Sequence, residues 1–479
     1  MNKPISTSGE SLEHGRAIVF RGGIVLTMDN GNHVLHGCDV LVVDGVIAQV
    51  GPGITAPDGA LEIDARGGII MPGMIDTHRH MWQTAMRAYG ADWTLSQYFV
   101  WYYLEHGKNF RPQDIYAGNL LSAIEAVDAG VTTSVDWSHG LQTTDHADAA
   151  VDALEAVPAR FVLAYGNIQR APWEWTADKE FRDFYGRRFD GKGDMLGFQI
   201  AFDVVAGPEF PERAAFEVAR DLGISVNTHE GVLGANGDDS IRLIHEGGFM
   251  TPDTMLVHCS TLSDDSYQRI AASGCSVSVA TESEQSAGQG YPSSWKLRQF
   301  DIPISLSHDT SVWWSADLFT AMRTTLGADR CRQHFEAHQK GETVTQLDVR
   351  SEHVVEWATR GGSKALGLDS KIGSVEVGKR ADIVLLKNDE SPVMFPIVNP
   401  FGHVAMQAQR ADVHTVVVDG NILKHEGRLI NIDLAKARSS VEETVGFLAD
   451  TLGEEAWNAG MHPDLPAKKE IENPYHYNK

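Results

Sequence analysis

Between residues 68 and 309, short apolar runs alternate with stretches whose apolar residues recur at helical spacing. The runs at 132–136, 161–165, 197–204, 224–229, 255–258, 276–280 and 302–309 are too short for ordinary helices and predict buried strands. An earlier run, Gly68-Ile-Ile-Met-Pro-Gly-Met-Ile75, reads as one more buried parallel strand that carries on to His80. Ile115, Leu120, Leu121, Ile124 and Val127 share one helical face, which predicts a helix over 112–129 stopped by Gly130. Residues 211–222 and 263–273 read as helices too. Eight strands with helices between them is the count for a (β/α)8 barrel of the TIM type, and a doubly wound open sheet is the alternative.

Both ends of the chain read differently. Residues 16–65 break into short strands, with an Asp-Gly hairpin signal in Leu41-Val-Val-Asp-Gly-Val-Ile47. The same pattern returns in Val416-Val-Val-Asp-Gly-Asn-Ile-Leu423, preceded by a strand candidate at 381–386. This repetition predicts one small β domain assembled from the two ends, with two separate hairpin caps as the alternative. The stretch after about 434 looks helical and then polar.

Composition narrows the function. The 479 residues carry 40 Lys plus Arg against 65 Asp plus Glu, a net charge of -25. So acidic a surface repels phosphate backbones and anionic lipid, which speaks against nucleic-acid and membrane roles. No run approaches the ~18 apolar residues of a membrane span, and the first residues form no apolar leader. Cys38, Cys259, Cys275 and Cys331 are scattered with no CxxC spacing. That pattern predicts a reducing cytoplasm and argues against disulfides or a thiolate zinc site.

The candidate chemistry sits at strand ends. His78 and His80 are two residues apart, so on a strand both imidazoles project the same way. His229, His258 and Asp309 each close a predicted strand. In an α/β barrel such positions converge on one mouth, and imidazoles with a carboxylate are the ligand set for Zn2+ or a similar ion. Taken singly, each could equally be a structural histidine or a capping aspartate.

The same residues carry a resemblance. Pro72-Gly-Met-Ile-Asp-Thr-His-Arg-His80, Val257-His-Cys259, Ser307-His-Asp-Thr-Ser311 and Gly373-Ser-Val-Glu-Val-Gly-Lys-Arg-Ala-Asp-Ile-Val384 together resemble the amidohydrolase superfamily, in the branch of cytosine and guanine deaminases and triazine hydrolases. The match runs from about residue 16 to 430. It implies a β-sandwich built from 1–68 and 368–432, a catalytic barrel over 69–367 and a helical tail over 433–479. It also implies His78, His80, His229 and Asp309 as metal ligands, with Asp309 doubling as proton shuttle. His258 then polarises the carbonyl or leaving group. Binuclear members use a carboxylated lysine on the fourth strand, and 197–204 contains none, so one divalent ion is expected: Zn2+, with Fe2+, Co2+ or Mn2+ as alternatives.

One departure matters. The deaminases of this branch carry a glutamate three residues after the fifth-strand histidine, and here that residue is Val232. Glu230 is adjacent to His229 and would point to the other face of a continuing strand. Glu282 or Glu284, in a predicted loop, could replace the missing acid or could be solvated carboxylates. The departure favours a hydrolase that cleaves the C–N, or C–S, bond of a small apolar or aromatic urea, amide or thiocarbamate-like compound. The alternatives are a deaminase of an aminated purine, pyrimidine, pterin or triazine, and a barrel without catalysis. Asp76-Thr-His-Arg-His-Met-Trp-Gln-Thr84 is also similar to actinobacterial amidohydrolases acting on phenylurea and thiocarbamate herbicides. Trp82, Gln83, Trp137, Arg187, Glu282 and Trp313 are the expected substrate contacts, in a chain expected to form homo-oligomers.

Overall fold

A computed structural model describes residues 17–465, apart from 192, 206, 208 and 233–236. The N-terminal strands are β1 (Ile18–Leu26), β2 (Val34–Val43), β3 (Val46–Gly51), β4 (Leu61–Asp64) and β5 (Ile69–Pro72). Next come eight strands with helices between most of them: β6 (Met74–Arg79), β7 (Val131–Ser138), β8 (Arg160–Tyr165), β9 (Leu196–Ala201), β10 (Ser225–Glu230), β11 (Met255–His258), β12 (Ser276–Val279) and β13 (Ile304–Leu306). They form one parallel sheet in sequence order from β6 to β13. The sheet closes on itself where Arg79 bridges Asp309. Asp309 N–H donates to the His78 carbonyl at 3.0 Å and His80 N–H to the Asp309 carbonyl at 2.8 Å. The fold is a TIM-like barrel, and its seam is also where the two predicted ligand segments meet.

The chain ends share a second sheet. Its late strands are β14 (Ile383–Leu386), β15 (Val413–Val418), β16 (Asn421–His425) and β17 (Arg428–Leu429). The order is β17-β16-β15-β14-β5-β1-β2-β3, with β4 beside β1. Ile18, Phe20, Val40, Ile47, Ile383 and Val417 form its apolar core, the inward-facing half of the period-2 pattern. The hairpin signals at both ends thus belong to one sheet.

One predicted element is divided. The apolar run from 68 to His80 is two strands, because the chain passes from one sheet to the other at Gly73. Ile383 pairs with Pro72, and Gly73 N–H donates to the Asp382 carbonyl at 2.9 Å. A Cβ at residue 73 would lie 2.0 Å from Thr132 Oγ1, so only glycine fits this crossing. Two other strands stop early. β9 ends at Ala201 and leaves Asp203 in irregular chain, and β13 ends at Leu306. Asp309 and His258 have φ of +70° and +71°, a left-handed backbone uncommon for non-glycine residues.

The last described elements brace the barrel. In helix Leu434–Leu452, Thr444 Oγ1 donates to Asp114 Oδ1 at 2.8 Å, and Arg111 lies 3.6 Å over the Phe447 ring. In the following segment the Trp457, Gly460 and Pro463 carbonyls accept from Tyr89, Trp93 and Gln97 at 2.6, 3.0 and 2.7 Å.

Candidate active site

At the mouth of the barrel β6, β10, β11 and the segment after β13 bring four imidazoles and one carboxylate together. His78 Nε2 lies 3.3 Å from His229 Nε2 and 3.4 Å from Asp309 Oδ1. His80 Nε2 is 3.3 Å from the same oxygen. A tetrahedral ion with bonds of ~2.0–2.2 Å has ligand-to-ligand edges of about 3.3–3.6 Å, so these separations suit a single ion. His78, His80 and Asp309 offer ligand atoms within 4.8 Å of one another, as do His78, His229 and His258.

Three of the four rings are aimed by their other nitrogen. His80 Nδ1 is 2.8 Å from the Trp137 carbonyl, and His229 Nδ1 is 2.7 Å from Asp203 Oδ1. His258 Nδ1 is 3.2 Å from Glu284 Oε1. These acceptors hold the proton on Nδ1 and leave the Nε2 lone pairs facing inward. Burial holds His78 and His80 neutral, His80 at about 4, as a metal ligand must be. Burial pushes the Asp309 carboxyl up. The His78 hydrogen bond and the neighbouring His80, His78 and His258 outweigh it and hold the group well below the usual carboxylate range. Asp309 Oδ2 also accepts from Ser283 Oγ. The donor set fits a divalent cation, with Asp309 ionised and the imidazoles free to coordinate.

Beside this cluster lies a cavity of about 200 Å³. Leu95, Tyr98, Phe99, Tyr103, Val204, Val232 and Trp313 supply its apolar wall. His80, His229, His258, Asp309, Asp203, Glu230, Ser240 and Gln289 supply the polar one.

The expected substrate contacts divide. Trp313 lines the cavity. Trp137 lies against the His229 ring at 4.2 Å and donates from Nε1 to Asn227 Oδ1 at 3.1 Å, so it supports the cluster. Gln83 is one layer back, donating to Tyr98 OH at 2.7 Å and accepting from Thr310 Oγ1 at 2.9 Å. Trp82 is core, packed against Tyr102 and Phe110. The structure does not bring Arg187 or Glu282 to the cavity. Arg187 is held on helix Lys179–Arg188 by two 2.8 Å bonds to Asp148, and Glu282 accepts from Ser315 Oγ at 2.9 Å. Nor are Glu282 and Glu284 solvated loop carboxylates: both are buried in helix Thr281–Ala287.

A sequence profile of the Amidohydrolase family matches residues 69–423. The chain belongs to this family. As an amidohydrolase it is an enzyme, a metal-dependent hydrolase acting on carbon–nitrogen bonds other than peptide bonds. It is 27% identical to the 5'-deoxyadenosine deaminase of Methanosarcina acetivorans, over 89% of this chain and 98% of that protein. Among solved structures it resembles triazine hydrolase from Arthobacter aurescens (TM-score 0.77, 21% identity, 90% of this chain and 99% of that one). It also resembles an adenosine deaminase from Xanthomonas campestris with bound zinc (TM-score 0.77, 20% identity, 90% and 98%).

Several residues of this amidohydrolase's site escaped the sequence reading. Leu95, Tyr98, Phe99 and Tyr103 come from the segment between β6 and helix Pro112–Asp128. Their signal was the aromatic run Tyr98-Phe-Val-Trp-Tyr-Tyr103 beyond the first metal strand. Asp203 was a carboxylate just past the end of the fourth barrel strand. Glu230 does leave the His229 face, as strand alternation requires, and its carboxyl accepts from Ser240 Oγ and from Thr228 Oγ1 at 3.1 Å. It nevertheless lines the cavity, and burial pushes it up to about 8. His139, its ring 4.4 Å from that of His80, carried no sequence signal beyond its place after the second barrel strand.

Proposed function

We propose that this amidohydrolase is a hydrolytic deaminase of a small aminated heterocycle of the purine, pyrimidine, pterin or triazine kind. The observation that carries this reading is the place of Glu230, a buried carboxyl in the wall of the same cavity as His258 and Asp309, where burial favours its protonated form. It can supply the ring-protonating acid that Val232 cannot. The likeness to a 5'-deoxyadenosine deaminase over nearly the whole chain supports it, and so does the aromatic wall, which suits a flat ring.

His78, His80, His229 and Asp309 would hold one divalent ion, Zn2+ first and Fe2+, Co2+ or Mn2+ as alternatives. Such an ion lowers the pKa of water to roughly 7–9, which supplies hydroxide at neutral pH. Asp309 accepts the water proton and returns it to the departing nitrogen. The C–O bond forms first, as the ring nitrogen takes the Glu230 proton; the C–N bond then breaks and ammonia leaves. His258 Nε2, with its ring proton held on Nδ1 by Glu284, accepts from the hydroxyl added to the ring carbon, and that hydroxyl's proton restores the Glu230 acid as the C=O bond forms. The barrel of 69–367 is the catalytic unit in this reading. The enzyme acts in the cytoplasm as a homo-oligomer, in keeping with the free cysteines Cys38, Cys259, Cys275 and Cys331.

A second reading has its own observation. Val232 lies in the apolar wall, which suits hydrolysis of an aryl urea, amide, carbamate or thiocarbamate. The test is zinc-replete protein on two panels, with ammonia measured for aminated heterocycles and released amine for aryl ureas and carbamates. Turnover confined to the second panel overturns the deaminase reading.

A further inference from the structure

We propose that Glu284 is a positioning residue of the reaction, acting through His258. The proposal rests on the hydrolytic reading above, in which the His258 ring faces the substrate.

Helix Thr281–Ala287 begins directly after β12, and three successive side chains leave it in three directions. Glu282 turns to Ser315, Ser283 donates to Asp309, and Glu284 meets His258 Nδ1 at 3.2 Å. Glu284 Oε1 also accepts from Ala280 N–H at 2.8 Å, which ties the carboxylate to the end of the preceding strand. The His258 carbonyl accepts from Ser293 Oγ at 2.6 Å, and its ring stacks on His229 at 5.5 Å and 14°. Backbone and ring plane are therefore set by other groups. Glu284 sets the remaining freedom, which nitrogen carries the proton and which faces the cavity.

The energetics favour such a role over a purely structural one. Glu284 is fully buried, and its Oε2 has no hydrogen-bond partner among the described residues. Among those residues no Lys or Arg pairs with it; its side-chain partner is the His258 ring. Burying a carboxylate this way costs several kcal/mol, whereas a neutral side chain could cap Ala280 as well. What the carboxylate adds is a strong acceptor for the His258 Nδ1 proton, which keeps Nε2 toward the reacting carbon.

The test uses full-length protein with Glu284→Ala and Glu284→Gln, each also in a His258→Ala background. Expected for Glu284→Ala is a kcat loss of ~100-fold with KM within about threefold and metal at one equivalent per chain. Glu284→Gln, which keeps an acceptor in place, recovers kcat to within about tenfold of the parent. Once His258 is alanine, Glu284→Ala costs nothing further. An undiminished loss in that background, a metal content that falls in step with kcat, or a Glu284→Ala kcat equal to the parent's would each overturn the proposal. A second readout needs no substrate. In protein with 15N-labelled histidine, the His258 Nδ1–H resonance, assigned by its loss in His258→Ala, shifts in Glu284→Gln and is lost to exchange in Glu284→Ala. An unchanged resonance overturns the positioning role. A parent protein that turns over neither panel overturns the functional reading and leaves this measurement standing.

Discussion

Asp203 offers the sharpest test of how the cluster is held. Its Oδ1 lies 2.7 Å from His229 Nδ1, a charge-assisted hydrogen bond that fixes the ring's tautomer and angle. Removing such a partner typically costs 10–100-fold in metal affinity. The Asp203 side chain is 37% exposed, so water can take over part of the bond. That places Asp203→Ala at the low end, a loss of ~10-fold or about 1.4 kcal/mol. Asp203→Asn, which still offers an oxygen to Nδ1–H, should lose about half of that free energy. His80 makes a useful contrast, because its acceptor is the backbone carbonyl of Trp137, which no side-chain substitution removes. The assay is competition for Zn2+ against a chromophoric chelator, run on apo-protein with circular dichroism to confirm the fold. An affinity unchanged in Asp203→Ala would refute the orienting role. A loss beyond about 1,000-fold would refute it from the other side, since Asp203 would then be a ligand itself.

Other substitutions test the rest of the site. Asp309→Asn should abolish turnover while the far-ultraviolet circular dichroism stays that of the parent, and retained activity would remove Asp309 as proton carrier. His258→Ala should lower kcat by about 100-fold or more while metal analysis still finds the ion, and equal losses in both would make it a ligand. Trp313→Ala, which strips an aromatic from the cavity wall, should raise KM by about tenfold more than it lowers kcat, and an unchanged KM would move the substrate elsewhere. Glu282 gives a pH signature of its own. Burial pushes it up to about 9 from an ordinary 4.5, so between those values the folded chain holds a proton that the unfolded chain has released. The stability it contributes is complete below pH 4.5 and is lost as pH rises toward 9, by about 1.4 kcal/mol per unit. Glu282→Gln, locked in the neutral form, should therefore gain in Tm over the parent on going from pH 5 to pH 8.5. A difference in Tm that stays flat over that range would show the carboxyl to be solvated.

The barrel was legible because its strands are buried on both faces and so stand out as apolar runs, and because His229, His258 and Asp309 fall where those runs end. The shared sheet was legible through the repeated Asp-Gly turns. The break at Gly73 was not, since Gly68 to Ile75 is apolar throughout and the change of sheet depends on a close approach to Thr132. Asp203 and Glu284 were missed as partners of the histidines for a related reason. Both lie past strand ends, where neither period-2 nor helical spacing says which way a side chain turns. Arg187 and Glu282 were expected in the site as polar groups of predicted loops; both lie on helices, and each has a nearer partner, Asp148 and Ser315.

The pairing of Pro72 with Ile383 bears on how the enzyme is made. β5, which leads into the first pair of histidines, stays without its β14 neighbour, Ile383–Leu386, until more than 300 further residues have been made. Nascent chains should therefore emerge unable to retain the ion until β14 has been made, and loading becomes a late event. A library of 3' deletions ending before codon 383 would yield no metallated product, however completely its helices form.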